Sequence, residues 1–287
     1  MKMLRVLLSV ICVLSAVNSL ANRAAAQWAP GQNMARSMII NLALGKSIEE
    51  NTDLGFCDIC YLGAFIAPGG NSFITMELEE GRKYVFAGAV QEDCDLDILV
   101  QDSNGNTLAK DSKTDNIPVA EFTPTQTDRY TIRLKLYSAP GSRFCGMVLL
   151  RDKGWSIPLE NLGQAGGTIL ERCEVIASKK PTRFLQEAGE WAIIGHVLEK
   201  GESSGLSDMI LGTGRRVIIA GGDNHSRDLD LTLSCNDLIL AKDTDDDAAP
   251  FVTHFTKKQE RYSVEITNAR STGTTVAMIA LLELEEE

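Results

Sequence analysis

Three groups of residues have the types and spacing to do chemistry. The first is acidic. Asp93, Asp95 and Asp97 recur at every second position, as do Asp228 and Asp230. Alternate side chains of a strand share one face, so each set would line up its carboxylates. Asp-rich stretches follow at 111–115 and 243–247. Calcium takes about six to eight oxygens, which makes Asp93, Asp95, Asp97, Asp228 and Asp230 candidate calcium ligands. No stretch completes an EF-hand loop, whose glycine and final glutamate are missing. The competing reading has these aspartates capping strands and facing water, with no cofactor at all.

The second group spells a nucleophile elbow, G-x-S-x-G, as Gly201-Glu202-Ser203-Ser204-Gly205. His225 and His254 follow, with aspartates between them, so a Ser, Asp, His order can be written. An elbow needs a strained turn from a strand into a helix. Here the motif lies between strand-like runs, and a turn that wants Gly and small polar residues explains it equally. A serine hydrolase using Ser203 therefore stands as the alternative. The three histidines, His196, His225 and His254, show no metal-binding spacing and read as scattered polar residues.

The third group is the cysteines. Cys57-x-x-Cys60 has redox or half-zinc spacing, but neither a βαβ context nor a second pair accompanies it. Apart from Cys12 near the start, the chain has Cys57, Cys60, Cys94, Cys145, Cys173 and Cys235. An even number in an exported chain favours disulfides. The connectivity is open, with Cys94–Cys145 favoured because both fall in one module.

Export is read from the first 26 residues. Lys2 and Arg5 precede an apolar run from Val6 to Val17, and Ala24-Ala25-Ala26 closes it. This is the plan of a cleaved signal peptide, and the run is too short for a membrane-spanning helix. No later segment reads as a transmembrane anchor. The leader holds Lys2, Arg5 and Arg23, so 25 of the 28 basic residues remain against 39 acidic ones, a balance of −14. Such a charge repels nucleic acid, which is therefore excluded as a partner.

A repeat positions all these residues. Gly81–Gly88 (GRKYVFAG) matches Gly214–Gly221 (GRRVIIAG), and Asp95-Leu96-Asp97 matches Asp228-Leu229-Asp230. Leu108–Asp111 matches Leu240–Asp243, Phe122 matches Phe255, and Arg129-Tyr130 matches Arg261-Tyr262. The offset stays at 132 or 133 residues. None of the cysteines recurs in the other copy. Alternation fills the copies: Tyr130, Ile132, Leu134 and Leu136 against Thr131, Arg133 and Lys135, and Leu229, Leu231, Leu233 in the second. One buried and one wet face mean antiparallel sheet. Ahead of each set of strands lies a helical pattern, near Met34–Leu44 and near Thr168–Ala177. The reading is all-β with short helices: two tandem antiparallel β-sandwiches, each preceded by a helix. The signal peptide occupies 1–26, the first copy 27–152 and the second 153–287. Trp155, in the linker, is expected to pack between the copies, and the acidic tail Glu283–Glu287 to fray.

The stretches 81–136 and 214–266 resemble bacterial pre-peptidase C-terminal domains. The likeness lies in the strand Tyr84-Val85-Phe86, the Asp-x-Asp strand, the turn Asp102–Gly105, the Asp-rich loop, a Phe, and a closing strand with Tyr130. Asp128-Arg129 and Glu260-Arg261 stand where that family has a Gly, and the second copy lacks the Gly105 turn. The resemblance implies small jelly-roll-like sandwiches that serve secreted proteins as non-catalytic modules. The expected function is a secreted binding or adhesion protein, periplasmic or extracellular, that engages a polysaccharide or an extracellular protein. A structural cell-envelope component is the remaining alternative.

Overall fold

The computed structural model describes residues 29–258 and 260–285; the signal-peptide reading lies outside them. Helix α1 (Ala29–Asn51) leads into β1 (Leu54–Ile66), β2 (Asn71–Leu78), β3 (Tyr84–Ala89), β4 (Asp95–Gln101), β5 (Thr107–Asp111), β6 (Val119–Phe122), β7 (Asp128–Ser138) and β8 (Arg143–Asp152). Helix α2 (Leu159–Ala177) and a short β9 (Thr182–Phe184) open the second half. Then come β10 (Ile193–Leu198), β11 (Ser203–Ile210), β12 (Gly214–Gly222), β13 (Ser226–Cys235), β14 (Leu238–Asp243), β15 (Phe251–Thr256), β16 (Arg261–Ser271) and β17 (Thr275–Leu284). Among the described residues the chain is mostly β with two helices, as the alternation predicts.

Each half repeats one topology. The small sheets run β2-β7-β4-β5 and β11-β16-β13-β14. The larger strands do not form two separate sheets. They join as β6-β3-β8-β1-β10-β17-β12-β15, with β9 added on β17, in one nine-stranded sheet. The join is antiparallel pairing of β1 with β10. Both helices pack on this large sheet, α1 over β8, β3 and β1, and α2 over β12 and β17, and they touch each other. The small sheets cover its other face. Strands such as β3, β8, β10 and β17, covered on both sides, are buried almost throughout.

Both helices are longer than their apolar patterns. In α1, Met34, Met38 and Leu42 are buried at four-residue spacing, the stripe that docks a helix on a sheet. Ser37 and Asn41 on the same side reach the Ala89 carbonyl, at 3.0 and 3.3 Å. In α2 the added first turns include Gly166, where a Cβ would press on Met38 of α1. That glycine weakens the sequence signal for a helix but lets the two helices approach.

The repeat is real, yet its sequence alignment is one residue off in places. Gly88 N–H donates to the Pro118 carbonyl, and Ala220 N–H to that of Pro250. Gly88 therefore corresponds to Ala220 and not Gly221. Likewise Tyr84 pairs with Arg151 and Phe122, while Arg216 pairs with Glu283 and His254. The shift arises because the second half carries one extra residue in the turn before β13. It is recovered at the tight Asn236-Asp237 turn, where both φ angles are positive, the geometry of a two-residue hairpin.

Candidate functional site

The fold sets the calcium candidates on β4, on β13 and in the turn before β4. Asp93 occupies a left-handed turn, φ 64°, before β4. Asp95 and Asp97 lie on β4, and Asp228 and Asp230 on β13. Burial, then repulsion from Asp95, holds the Asp97 carboxyl above the usual range. Burial, then Asp246 and Asp230, does the same for Asp228. Among the described residues no three His, Cys, Asp or Glu side chains gather as a metal ion requires.

The Asp-rich loops brace their own backbone, identically in the two halves. Asp111 accepts the N–H groups of Lys113 and Val119, at 3.3 and 3.1 Å. Asp243 accepts those of Asp245 and Phe251, at 3.1 and 2.9 Å. Asp115 and Asp247 repeat the pattern one turn later, on Ile117 and Ala249. Aspartate favours such turns because its short side chain mimics a backbone acceptor. Burial alone would raise the Asp111 pKa, but these N–H donors and Lys113 hold it below the usual range. These aspartates are retained by loop geometry.

Ser203 opens β11, on a strand and not on an elbow. Its hydroxyl bonds that of Thr267 across the pair at 2.7 Å. The His225 ring lies against Asn161 and the Thr274 carbonyl, and that of His254 against Tyr262. Neither histidine partners Ser203, and no helix follows it.

The expected disulfides are not formed. All six cysteines are buried free thiols, with no pair at bonding distance. They act as small apolar side chains filling the core, and the Cys145 thiol donates to the Arg143 carbonyl. Burial pushes Cys60 up to about 12 and raises Cys57, Cys145 and Cys173 as well.

Two further positions differ from expectation. Trp155 bonds Asp58 at 2.8 Å and bridges to Phe56, within the first half. It is Trp191 that joins the halves. Glu283 does not fray: it ends β17 in ion pairs with Arg183 and Arg216, both at 3.0 Å. Arg216 is fully buried, and Glu187 is its second carboxylate partner at 3.1 Å. A buried guanidinium persists only when so paired. The offset of 133 hid it by aligning Val217 with Tyr84.

The outward side of the first small sheet holds the most organised exposed cluster. Phe73 on β2 pairs with Arg133 on β7, which pairs with Leu99 on β4. One pleat along, Lys135 lies between Asn71 and Asp97. The Arg133 guanidinium sits 5.2 Å over the Phe73 ring, and the Lys135 ammonium 5.0 Å over that of Tyr137. Arg133 is fixed further by the amide oxygens of Asn71 and Gln101. Phe73 and Tyr137 are nevertheless 42% and 60% exposed, so both pairs face solvent. Sequence alternation marks Arg133 and Lys135 as the wet side of their strand. Only the sheet order brings the aromatics to them.

The second half supplies an internal comparison. Gly205 pairs with Glu265, which pairs with Thr232, and Ser203 with Thr267. Arg133 is thus replaced by Glu265, Lys135 by Thr267, Phe73 by Gly205 and Tyr137 by Ala269. The strands approach so closely there that a Cβ on Gly205 would collide with the Val264 carbonyl. The second half has instead a shallow cleft of about 560 Å³ beside Leu238, Leu240, His254 and Phe255. Its carboxylate is already engaged: Glu260 accepts the Tyr262 hydroxyl, which in turn accepts the Lys257 N–H.

No protein-family model and no curated protein sequence matches the chain. Similar solved structures include the pre-peptidase C-terminal domain of a Bacillus anthracis collagenase. It is 10% identical, with a TM-score of 0.28, over 32% of this chain and 88% of that one. The secreted serine protease VesC of Vibrio cholerae is 12% identical, TM-score 0.24, over 77% of this chain and 48% of that one. A carbohydrate-binding module, CBM51, from Clostridium perfringens is 12% identical, TM-score 0.23, over 34% and 77%. No described helix is long and apolar enough to cross a membrane.

Proposed function

We propose that the protein is an exported, non-catalytic binding module whose ligand surface is the outward side of β2-β7-β4-β5. One observation carries this reading. Folding does not require the Arg133–Phe73 and Lys135–Tyr137 pairs, because β11-β16-β13-β14 forms the same register with Gly205, Glu265, Thr267 and Ala269 in their places. Large rings left exposed and cations held over them cost side-chain entropy. Aromatic and Arg side chains on an ordered surface are the usual anchors of recognition. The absence of a base beside Ser203 supports the non-catalytic part, and the leader supports export.

The test compares the mature chain with a variant carrying Phe73→Ala, Arg133→Ala, Lys135→Ala and Tyr137→Ala. Both are applied to immobilised glycans and extracellular matrix proteins, with thermal melting to confirm that the variant folds. Ligands held by the native chain and lost by the variant are expected. A native chain that holds none, or a folded variant that holds the same ones, would refute the assignment. Ester hydrolysis by the native chain should equal that of Ser203→Ala.

A further inference from the structure

We infer that the ligand of this surface is an acidic polysaccharide, a chain of sugar rings bearing carboxylates; this rests on the binding-surface reading above. Arg129, Arg133 and Lys135 project from β7 and Lys110 from β5, the neighbour of β4. Among the described residues none of these four cations lies within ion-pair distance of a carboxylate. Arg133 spends its donors on the neutral amides of Asn71 and Gln101. The carboxylates nearby are Glu77, opposite Arg129, and Asp95 and Asp97, the latter sunk to 9% exposure. In a chain with 39 acidic residues against 28 basic ones, this face sets four cations against three carboxylates, of which Asp97, the one that feels Lys135 and Lys110, is sunk from solvent; the small positive excess is one that an anion would complete.

The form of the cluster selects among anions. Cations two residues apart on a strand are about 6.7 Å apart, a sparse row suited to charges separated by sugar rings. Duplex DNA and anionic membranes present dense charge over areas that would also meet the acidic remainder of the molecule. An acidic peptide would add to a strand edge and not lie across the outward face where the four cations stand; at the β2 edge, Gly189 already exchanges two backbone hydrogen bonds with Asn71 and Phe73. Tyr137 offers a flat apolar surface beside Lys135, suited to the C–H face of a sugar.

The experiment is calorimetric titration of the mature chain with polygalacturonate, with dextran, duplex DNA and phosphatidylglycerol vesicles as comparators. Polygalacturonate alone should bind, more weakly as salt rises. Arg133→Ala and Lys135→Ala should each weaken it about fivefold, roughly the worth of one cation beside an anionic surface. Tyr137→Ala should weaken it while leaving the salt dependence unchanged. Binding of dextran or DNA as tight as that of polygalacturonate would overturn the inference, as would single variants that bind like the native chain. If the fourfold variant loses a ligand that carries no negative charge, the surface stands and the acidic polysaccharide falls. If it loses nothing, both fall.

Discussion

His196 lies in β10 with its ring fully buried and neither ring nitrogen hydrogen-bonded. The first half has Ala64 at the equivalent place. An unpartnered imidazole in such a site stays neutral, and burial lowers its pKa from 6.5 to about 4, with Asp58 opposing weakly. An unfolded chain protonates this histidine near its ordinary pKa, and the folded chain resists until about 4. The stability it contributes is present above pH 6.5 and is lost as pH falls toward 4. A shift of this size is worth about 3 kcal/mol. His196→Leu removes the titration and the two unbonded nitrogens together. Urea midpoints at pH 7.5 and 4.5 should show the native chain losing about 2–3 kcal/mol more than the variant across that interval. Equal losses would mean that the ring is bonded or hydrated in solution. Aspartates and glutamates titrate in both proteins and cancel from the comparison.

The element that departs from the repeat is the segment 185–192. In the first half the corresponding chain is the four residues 57–60, where the β1–β8 register shifts between Phe56 and Tyr61, and the start of β1 on β8 is matched by β9 on β17. In the second it leaves the sheet and fills the space between the small sheets. Ser72 donates to the Glu190 carbonyl, and the Trp191 indole to that of Phe73 at 2.9 Å. Glu190 accepts the Ile210 N–H on β11, though burial still raises its pKa. Trp191 is fully buried, so Trp191→Ala should cost about 3–5 kcal/mol of unfolding free energy. Trp191→Phe should recover most of it, losing chiefly one hydrogen bond of about 1 kcal/mol. Chemical denaturation measures both, and a loss under 1 kcal/mol for the alanine variant would show a loosely packed seam. The strands with one wet face, β7 and β16, are legible in sequence because their periodicity is two. The seam is not. β1 and β10 are apolar on both faces, so nothing in their pattern says which edge is open or what meets it. The Arg133 surface was half legible: alternation exposed Arg133 and Lys135, but Phe73 and Tyr137 join them only through cross-strand register and local packing.

At the scale of the molecule the join between halves has a symmetry with consequences. Tyr61 lies opposite Gly195, Leu62 opposite Ile194, and Gly63 opposite Ile193. With an offset of 132, the counterpart of Tyr61 is Ile193 and that of Gly63 is Gly195. The pairing therefore maps onto itself about the Leu62–Ile194 pair, as in a two-fold dimer of one unit. A single half would expose β1 as a long edge whose side chains are mostly buried in the intact chain, and such an edge pairs with whatever complements it. Residues 29–152 expressed alone should thus form a dimer through antiparallel β1 strands, Leu62 opposite Leu62. Residues 153–285 added in excess should convert it to the mixed pair, because only the second half brings Trp191 to Phe73 and Gly166 to Met38. Sedimentation equilibrium would follow the mass, and Trp191 fluorescence the exchange. A first half that remains a folded monomer at every concentration would show that each copy closes its own core, and that the continuous sheet is contact without dependence.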